Sequence, residues 1–160
     1  MEEIYDEYSE TIYRYLLSLT KNKDIAEELT QETFYKAVKN INKFRNESSI
    51  KTWLYKIAKN VWIDYYKKSS KLKEVTIDDY SEIILYNTNI EEEILNKNDK
   101  VNIYKKIHKL DEIAKEVIYL KIGTNFTFKE IGNIFGKTEG WAKIIFYRAK
   151  IKLKEELKDE

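Results

Sequence analysis

The sequence predicts an all-α protein of two small helical domains joined by a flexible acidic linker. Three observations predict it. There is no Pro and there are only four Gly in 160 residues, so the usual punctuation of strands and turns is scarce. Apolar residues recur at three- and four-residue spacing through both ends of the chain. That periodicity lapses over residues 69–98, where acidic residues gather. The expected division is a helical bundle over 1–70, a linker over 71–98 and a second helical domain over 99–160.

Residues 4–20 place Ile4, Tyr8, Ile12, Leu16 and Leu19 on one helical face. A second helix begins at "DIAEELTQETFYKAVKNI", with Asp24 as its expected cap and Glu27 three residues on, the pattern of a capping box. Its apolar side is Ala26, Leu29, Thr33, Phe34, Ala37, Val38 and Ile41. Its other side carries Glu27, Glu28, Gln31 and Glu32. The polar stretch "NKFRNESS" (42–49) has no period and reads as a loop. "KTWLYKIAKNVWIDYYKK" (51–68) is then a third helix, which completes a small bundle.

On a wheel of about 100° per residue, Trp53, Leu54, Ile57, Ala58, Val61 and Tyr65 form a core stripe. Lys51, Tyr55, Lys59, Trp62 and Tyr66 fall opposite, with Lys56, Asn60, Ile63 and Lys67 along the edge. A merely solvated face has no use for such rings. Stacking each unpaired base on a ring is worth about 1–3 kcal/mol, while Lys tracks the phosphates, so this face is expected to hold single-stranded nucleic acid. The bland alternative is packing of Trp62 against a neighbouring domain.

In the second domain the helical pattern returns near residue 91 and runs towards Leu110. "DEIAKEVIYLKIG" forms the next helix, stopped by Gly123. "TFKE" (127–130) is a capping box that opens a short helix with Ile131, Ile134 and Phe135. Gly136 makes the turn, and a long basic helix runs from about Thr138 to Leu157. Short helix, tight turn and longer basic helix are the order of a helix-turn-helix. On the last helix Ala142, Ile145, Phe146, Ala149, Leu153 and Leu157 face inward; Trp141, Lys143, Ile144, Tyr147, Arg148, Ile151 and Lys154 face outward. Lys143 and Arg148 suit phosphates or guanine, and Trp141 and Ile144 suit thymine methyls.

The net charge of +1 conceals alternating blocks. Residues 1–38 carry 4 Lys or Arg against 9 Asp or Glu; 39–73, 10 against 2; 74–99, 1 against 8; and 100–160, 14 against 9. Two basic blocks separated by an acidic one suggest two sites for a polyanion. With no Cys and a single His, His108, disulfide, thiolate-metal and most His-based chemistry is excluded. No Gly-rich phosphate loop, metal cluster or nucleophile–base pair stands out, so neither a cofactor nor a metal is expected, and the chain does not read as an enzyme. No apolar run approaches the roughly 20 residues that cross a bilayer, and "MEEIYDEYSE" is no secretory signal. A cytoplasmic protein without membrane insertion is expected.

A double-strand reader and a single-strand reader in one chain suit a protein that recognises a promoter and holds it melted. At this point "LTQETF", "FRNESSIKTWLYKIAKN" and "IDYYKK" within residues 24–68 resemble the sigma-two domain of the extracytoplasmic-function (ECF) group of bacterial sigma factors. Residues 110–153, with "EIG", "FG" and "TEG", resemble the matching sigma-four domain. The resemblance implies core RNA polymerase and promoter DNA as partners and an anti-sigma protein as regulator. It implies core docking through Asp24, Glu27, Glu28, Gln31 and Glu32. It places the −10 element on Arg45, Asn46, Ser48, Ser49, Tyr55, Lys56, Lys59, Asn60, Trp62 and Tyr66. It places the −35 element on Lys121, Thr138, Glu139, Gly140, Trp141, Lys143, Ile144 and Arg148. Two departures stand out: Asp111 replaces a usual Pro, and Ile144-Ile145 stand where Ser-Arg is common. The competing expectations are a stand-alone helix-turn-helix regulator on duplex DNA and an adaptor whose basic faces bind acidic proteins.

Overall fold

The computed structural model describes residues 1–69 and 105–158, of the last three the backbone only. The described residues are helical with turns, and they fall into two compact units. The expected linker, 71–98, and most of the helix expected from residue 91 lie outside the described residues.

The first unit packs three helices pairwise: α1 (Glu2–Thr20), α2 (Lys23–Asn40) and α3 (Ile50–Lys68). Lys21, with φ 54°, ends α1 in the left-handed region. Asn22, not Asp24, caps α2, accepting from the Ile25 amide at 3.0 Å. Asp24 instead lies in the first turn, where a carboxylate still complements the helix dipole. The core of α2 is Ala26, Leu29, Thr30, Thr33, Phe34 and Ala37; Val38, expected inside, is exposed. The buried threonines close their hydroxyls on their own helix: Thr30 donates to the Ala26 carbonyl and Thr33 to that of Leu29. A 3-10 turn, Ile41–Lys43, leads into the loop before α3.

On α3 the buried arc differs from the wheel. Thr52, Leu54, Tyr55, Ala58, Lys59 and Val61 are buried, whereas Trp53, Ile57 and Tyr65 are half-buried. The reason is that α3 packs against both α1 and α2, so its inner surface spans roughly half the helix and is centred near Tyr55 and Ala58. Tyr55 is 0% exposed. Its ring lies 4.9 Å from that of Tyr15, and its hydroxyl donates to the Thr11 carbonyl oxygen at 3.4 Å.

In the second unit Asp111 caps α4 (Glu112–Ile118), accepting from the Ala114 amide at 2.8 Å. The residue standing where Pro is common thus does the work of starting the helix. A π-helical turn, Tyr119–Gly123, continues it. The helical run ends at Gly123, as expected, and the left-handed residue that follows is Asn125, whose φ is 57°. Thr127 and Glu130 form the expected capping box at the start of α5 (Phe128–Phe135). Both reciprocal bonds are present, at 2.8 and 3.2 Å.

Gly136, φ 67°, ends α5 in a conformation that favours glycine, and the Lys137 amide donates back to the Gly132 carbonyl at 2.7 Å. A Cβ on Gly132 would meet the Thr138 carbonyl oxygen at 2.7 Å, so only glycine lets the turn fold this closely over α5. Thr138 then starts α6 (Glu139–Lys158), its hydroxyl accepting from the Trp141 amide at 3.1 Å. Among the described side chains of α6, Ala142 and Ala149 are buried, and their small size lets the helix sit close to α4 and α5.

Candidate functional site

Three surfaces follow from this framework. The first is the outer face of α2. Asp24, Glu27, Glu28, Gln31 and Glu32 are all exposed, because the i, i+3, i+4 positions that alternate with them carry the core. At the edge of that face the Lys36 ammonium lies 3.8 Å from Glu32 and 3.8 Å from Asp64 of α3. Exposed pairs of this kind contribute little stability, so the face remains acidic in character. Lys36 and Asp64 were not among the expected site residues. Glu32 and Lys36 have the i, i+4 spacing of an ion pair, a signal present in the sequence.

The second surface combines the 44–49 loop with the outer edge of α3. Arg45 and Asn46 are exposed, and Asn46 is held at φ 56°. Phe44 packs its ring 5.2 Å from Trp53, so the tryptophan expected in the core instead supports the loop. Ser49 is committed to the backbone: it caps α3 by accepting from the Thr52 amide at 3.1 Å and donates to the Thr52 hydroxyl at 2.9 Å. Ser48 is half-buried and donates to the Ser49 carbonyl at 3.4 Å.

Lys56, Asn60 and Tyr66 are exposed; Trp62 is half-exposed, its ring 5.5 Å from that of Tyr66. Lys59 is 8% exposed, with its ammonium 4.9 Å from the Trp62 ring centroid. Its methylene stem is buried while its charge lies against the ring. Of the expected aromatic row, the structure therefore removes Tyr55 to the core and leaves Trp62 and Tyr66 as a pair at the C-terminal half of α3. Lys59 is corrected from a solvated phosphate contact to a group seated under Trp62.

The burial of Tyr55 has an electrostatic consequence. Loss of solvent pushes its phenol up to about 12, against smaller opposing contributions from the Thr11 side chain and the Arg14 charge. It is neutral at any physiological pH.

The third surface is the start of α6. Glu139, Gly140, Lys143, Ile144, Tyr147 and Arg148 are exposed. Lys143 lies 3.5 Å from Glu139. Trp141, expected outward, is half-buried with its ring 5.0 Å from Phe135. The Thr138 hydroxyl is occupied as the helix cap. Lys121 also departs from expectation. Its ammonium donates to the Phe126 carbonyl at 3.2 Å and lies 4.3 Å from the Phe128 ring centroid, so it braces the turn before α5 rather than reaching outward.

A three-helix unit with an acidic flank and a ring-bearing helix, and a second unit built as a helix-turn-helix, define the class: a two-part helical transcription factor. Comparison with known proteins makes the assignment specific. Residues 4–72 match the Sigma-70 region 2 family. Over 154 residues the chain is 33% identical to the ECF RNA polymerase sigma factor SigM of Bacillus subtilis, covering 96% of this chain and 93% of that protein. It is 30% identical over 165 residues to SigW of the same organism, covering 98% and 88%. Among solved structures, the fold is similar to that of the sigma factor RpoE of Bartonella quintana, in complex with the anti-sigma factor NepR. The TM-score is 0.67 with 23% identity, covering 99% of this chain and 98% of that one. CnrH, solved with the cytosolic domain of CnrY, gives 0.68 with 16% identity, covering 99% and 88%.

The chain belongs to the ECF sigma factors of bacterial RNA polymerase. It is accordingly a factor of transcription initiation. No described helix is long and apolar enough to cross a membrane.

Proposed function

We propose that the chain binds core RNA polymerase through the acidic face of α2, anchors upstream duplex with α6 and holds the melted strand against the outer edge of α3. The supporting observation is the Trp62–Tyr66 ring pair, half-exposed and exposed, 5.5 Å apart at the C-terminal half of α3, with Lys56 and Asn60 exposed on the same helix. Rings in this setting offer stacking surface to unpaired bases, and Lys56 offers charge to the phosphates. Arg45 and Asn46, exposed in the loop, can bond the edge of an extruded base, whose unstacking costs a few kcal/mol. Ser48, Ser49, Tyr55 and Lys59 act indirectly, by shaping the loop and seating the helix.

Core docking uses charge: Glu27, Glu28 and Glu32 suit a basic partner surface and speed the encounter. Upstream duplex is held by Lys143 and Arg148 with Gly140 allowing close approach, as the second helix of a helix-turn-helix enters the major groove. Thr138 and Trp141 fix the geometry of that helix, and Lys121 braces the turn before α5. An anti-sigma protein that masks these surfaces is the expected regulator, in keeping with the partner of RpoE. The test is retention of promoter DNA under heparin challenge with and without core polymerase. Retention only with core is expected; retention by the chain alone would favour a stand-alone regulator.

A further inference from the structure

The recognition helix lacks most of the side chains that usually read bases. From Glu139 to Lys158 it contains no Ser, Thr, Asn or Gln. Adenine is commonly read by Asn or Gln in bidentate fashion, and that route is closed here. Glu139, which could accept from cytosine, lies beside Lys143 at 3.5 Å. The Thr138 hydroxyl just before the helix is taken by the Trp141 amide.

What the helix does present is apolar. Ile144, Tyr147 and Ile151 are 51%, 51% and 56% exposed. They follow i, i+3, i+7 spacing, so they form one ridge along the helix. Single exposed apolar residues are ordinary, but an aligned ridge along one helix marks a contact surface. Tyr147 is held in place by Phe128 and Phe146, with ring centroids 5.9 and 5.5 Å away. The ridge is flanked by exposed Lys143, Arg148, Lys150, Lys152 and Lys154. An apolar strip between two rows of cations complements a groove whose walls are phosphates and whose floor carries methyl groups. Only the major groove of duplex DNA offers both, and its methyls belong to thymine.

We infer that Ile144, backed by Tyr147, is a specificity-determining residue that selects thymine C5-methyl groups in the upstream promoter element. This rests on the proposed docking of α6 in duplex DNA. Ile144 stands on the second turn of α6, within the part of a recognition helix that reaches base edges. Ile151 stands two turns further on and serves the ridge rather than the readout.

The test uses holoenzyme assembled from the full chain and core polymerase. Duplexes randomised over the upstream element are selected for retention, and the winners are resynthesised with uracil for thymine in that element, which removes only the methyl groups. Enrichment of thymine on either strand is expected, with retention falling about fourfold for each contacted methyl, the scale of burying one methyl-sized group. Ile144→Asn is expected to bind thymine and uracil elements alike, while Ile122→Asn, exposed elsewhere in the same unit, keeps the discrimination. Circular dichroism melting checks that both variants are folded. Equal retention of thymine and uracil elements by the wild type would overturn the inference and leave the docking intact. An undiminished thymine preference in Ile144→Asn would overturn the assignment to Ile144. Selection that enriches no upstream sequence and tolerates loss of the upstream duplex would overturn the docking itself.

Discussion

The rings of Tyr15 and Tyr55 meet 4.9 Å apart in the interior of the first unit, joining α1 to α3. Tyr55 is thus a packing residue. Tyr55→Ala should cost about 3–5 kcal/mol, the usual loss for deleting a buried aromatic ring. Tyr55→Phe should cost about 1 kcal/mol, the usual net worth of a hydrogen bond such as the one its hydroxyl donates to the Thr11 carbonyl. Chemical denaturation followed by circular dichroism measures both. A stable Tyr55→Ala chain defective only in promoter opening would return the ring to a binding role.

The same residue predicts an alkaline limit. Burial raises the Tyr55 phenol to about 12 from an ordinary 10.0, so the folded state holds its proton where the unfolded state has lost it. Stability from this group is fully present below pH 10.0 and is lost as pH rises towards about 12, with a total near 2–3 kcal/mol. Tyr8, raised mainly by burial and secondarily by Glu7, acts in the same direction. Tyr55→Phe should flatten the fall in melting temperature over that range, and an unchanged profile would contradict the assignment.

Ser49 caps α3 through the Thr52 amide at 3.1 Å. Ser49→Ala should destabilise the first unit by about 1 kcal/mol, whereas Ser49→Asp should restore most of the loss. Rescue by Asp, measured by thermal melting, is the signature of a capping role, and a Ser49→Ala chain that melts as the wild type does would contradict it.

Gly132→Ala places a methyl group 2.7 Å from the Thr138 carbonyl oxygen. Backbone must move, and overpacking of this kind costs about 1–3 kcal/mol. The second unit should lose stability and upstream DNA retention together. Wild-type stability would show that the turn relaxes freely.

Glu28→Lys reverses a charge on the exposed face of α2 without touching its core. Affinity for core polymerase should fall about tenfold at low salt, and the difference should narrow as salt screens it. Equal affinity, measured by titration of labelled protein, would remove α2 from the docking surface.

How much of this was legible in the sequence depends on how many neighbours each helix has. α5 is short and packs chiefly on one side, and its capping box, apolar face and Gly136 stop are all read directly from its letters. α3 touches two helices, so its buried arc is wider than a single stripe and takes in Tyr55 and the Lys59 stem. A wheel ranks Trp53 above Tyr55 because it scores each residue alone. The clue it passed over is Tyr15, which shares a face with Ile12 and calls for an aromatic partner across the bundle. The acidic face of α2 was legible because charge has no competing reason to be inside. Lys121 was not, because its partner, the Phe126 carbonyl, is set by a π-helical turn that no spacing announces.

The central claim is that the Trp62–Tyr66 pair holds separated bases. Permanganate reactivity of thymines in the melted region, with saturating core and either wild-type or Trp62→Ala chain, tests it most directly. Trp62→Ala should bind core as the wild type does and lose about tenfold or more of the reactive open complex, in line with one lost base stack. Full reactivity with Trp62→Ala would contradict the claim.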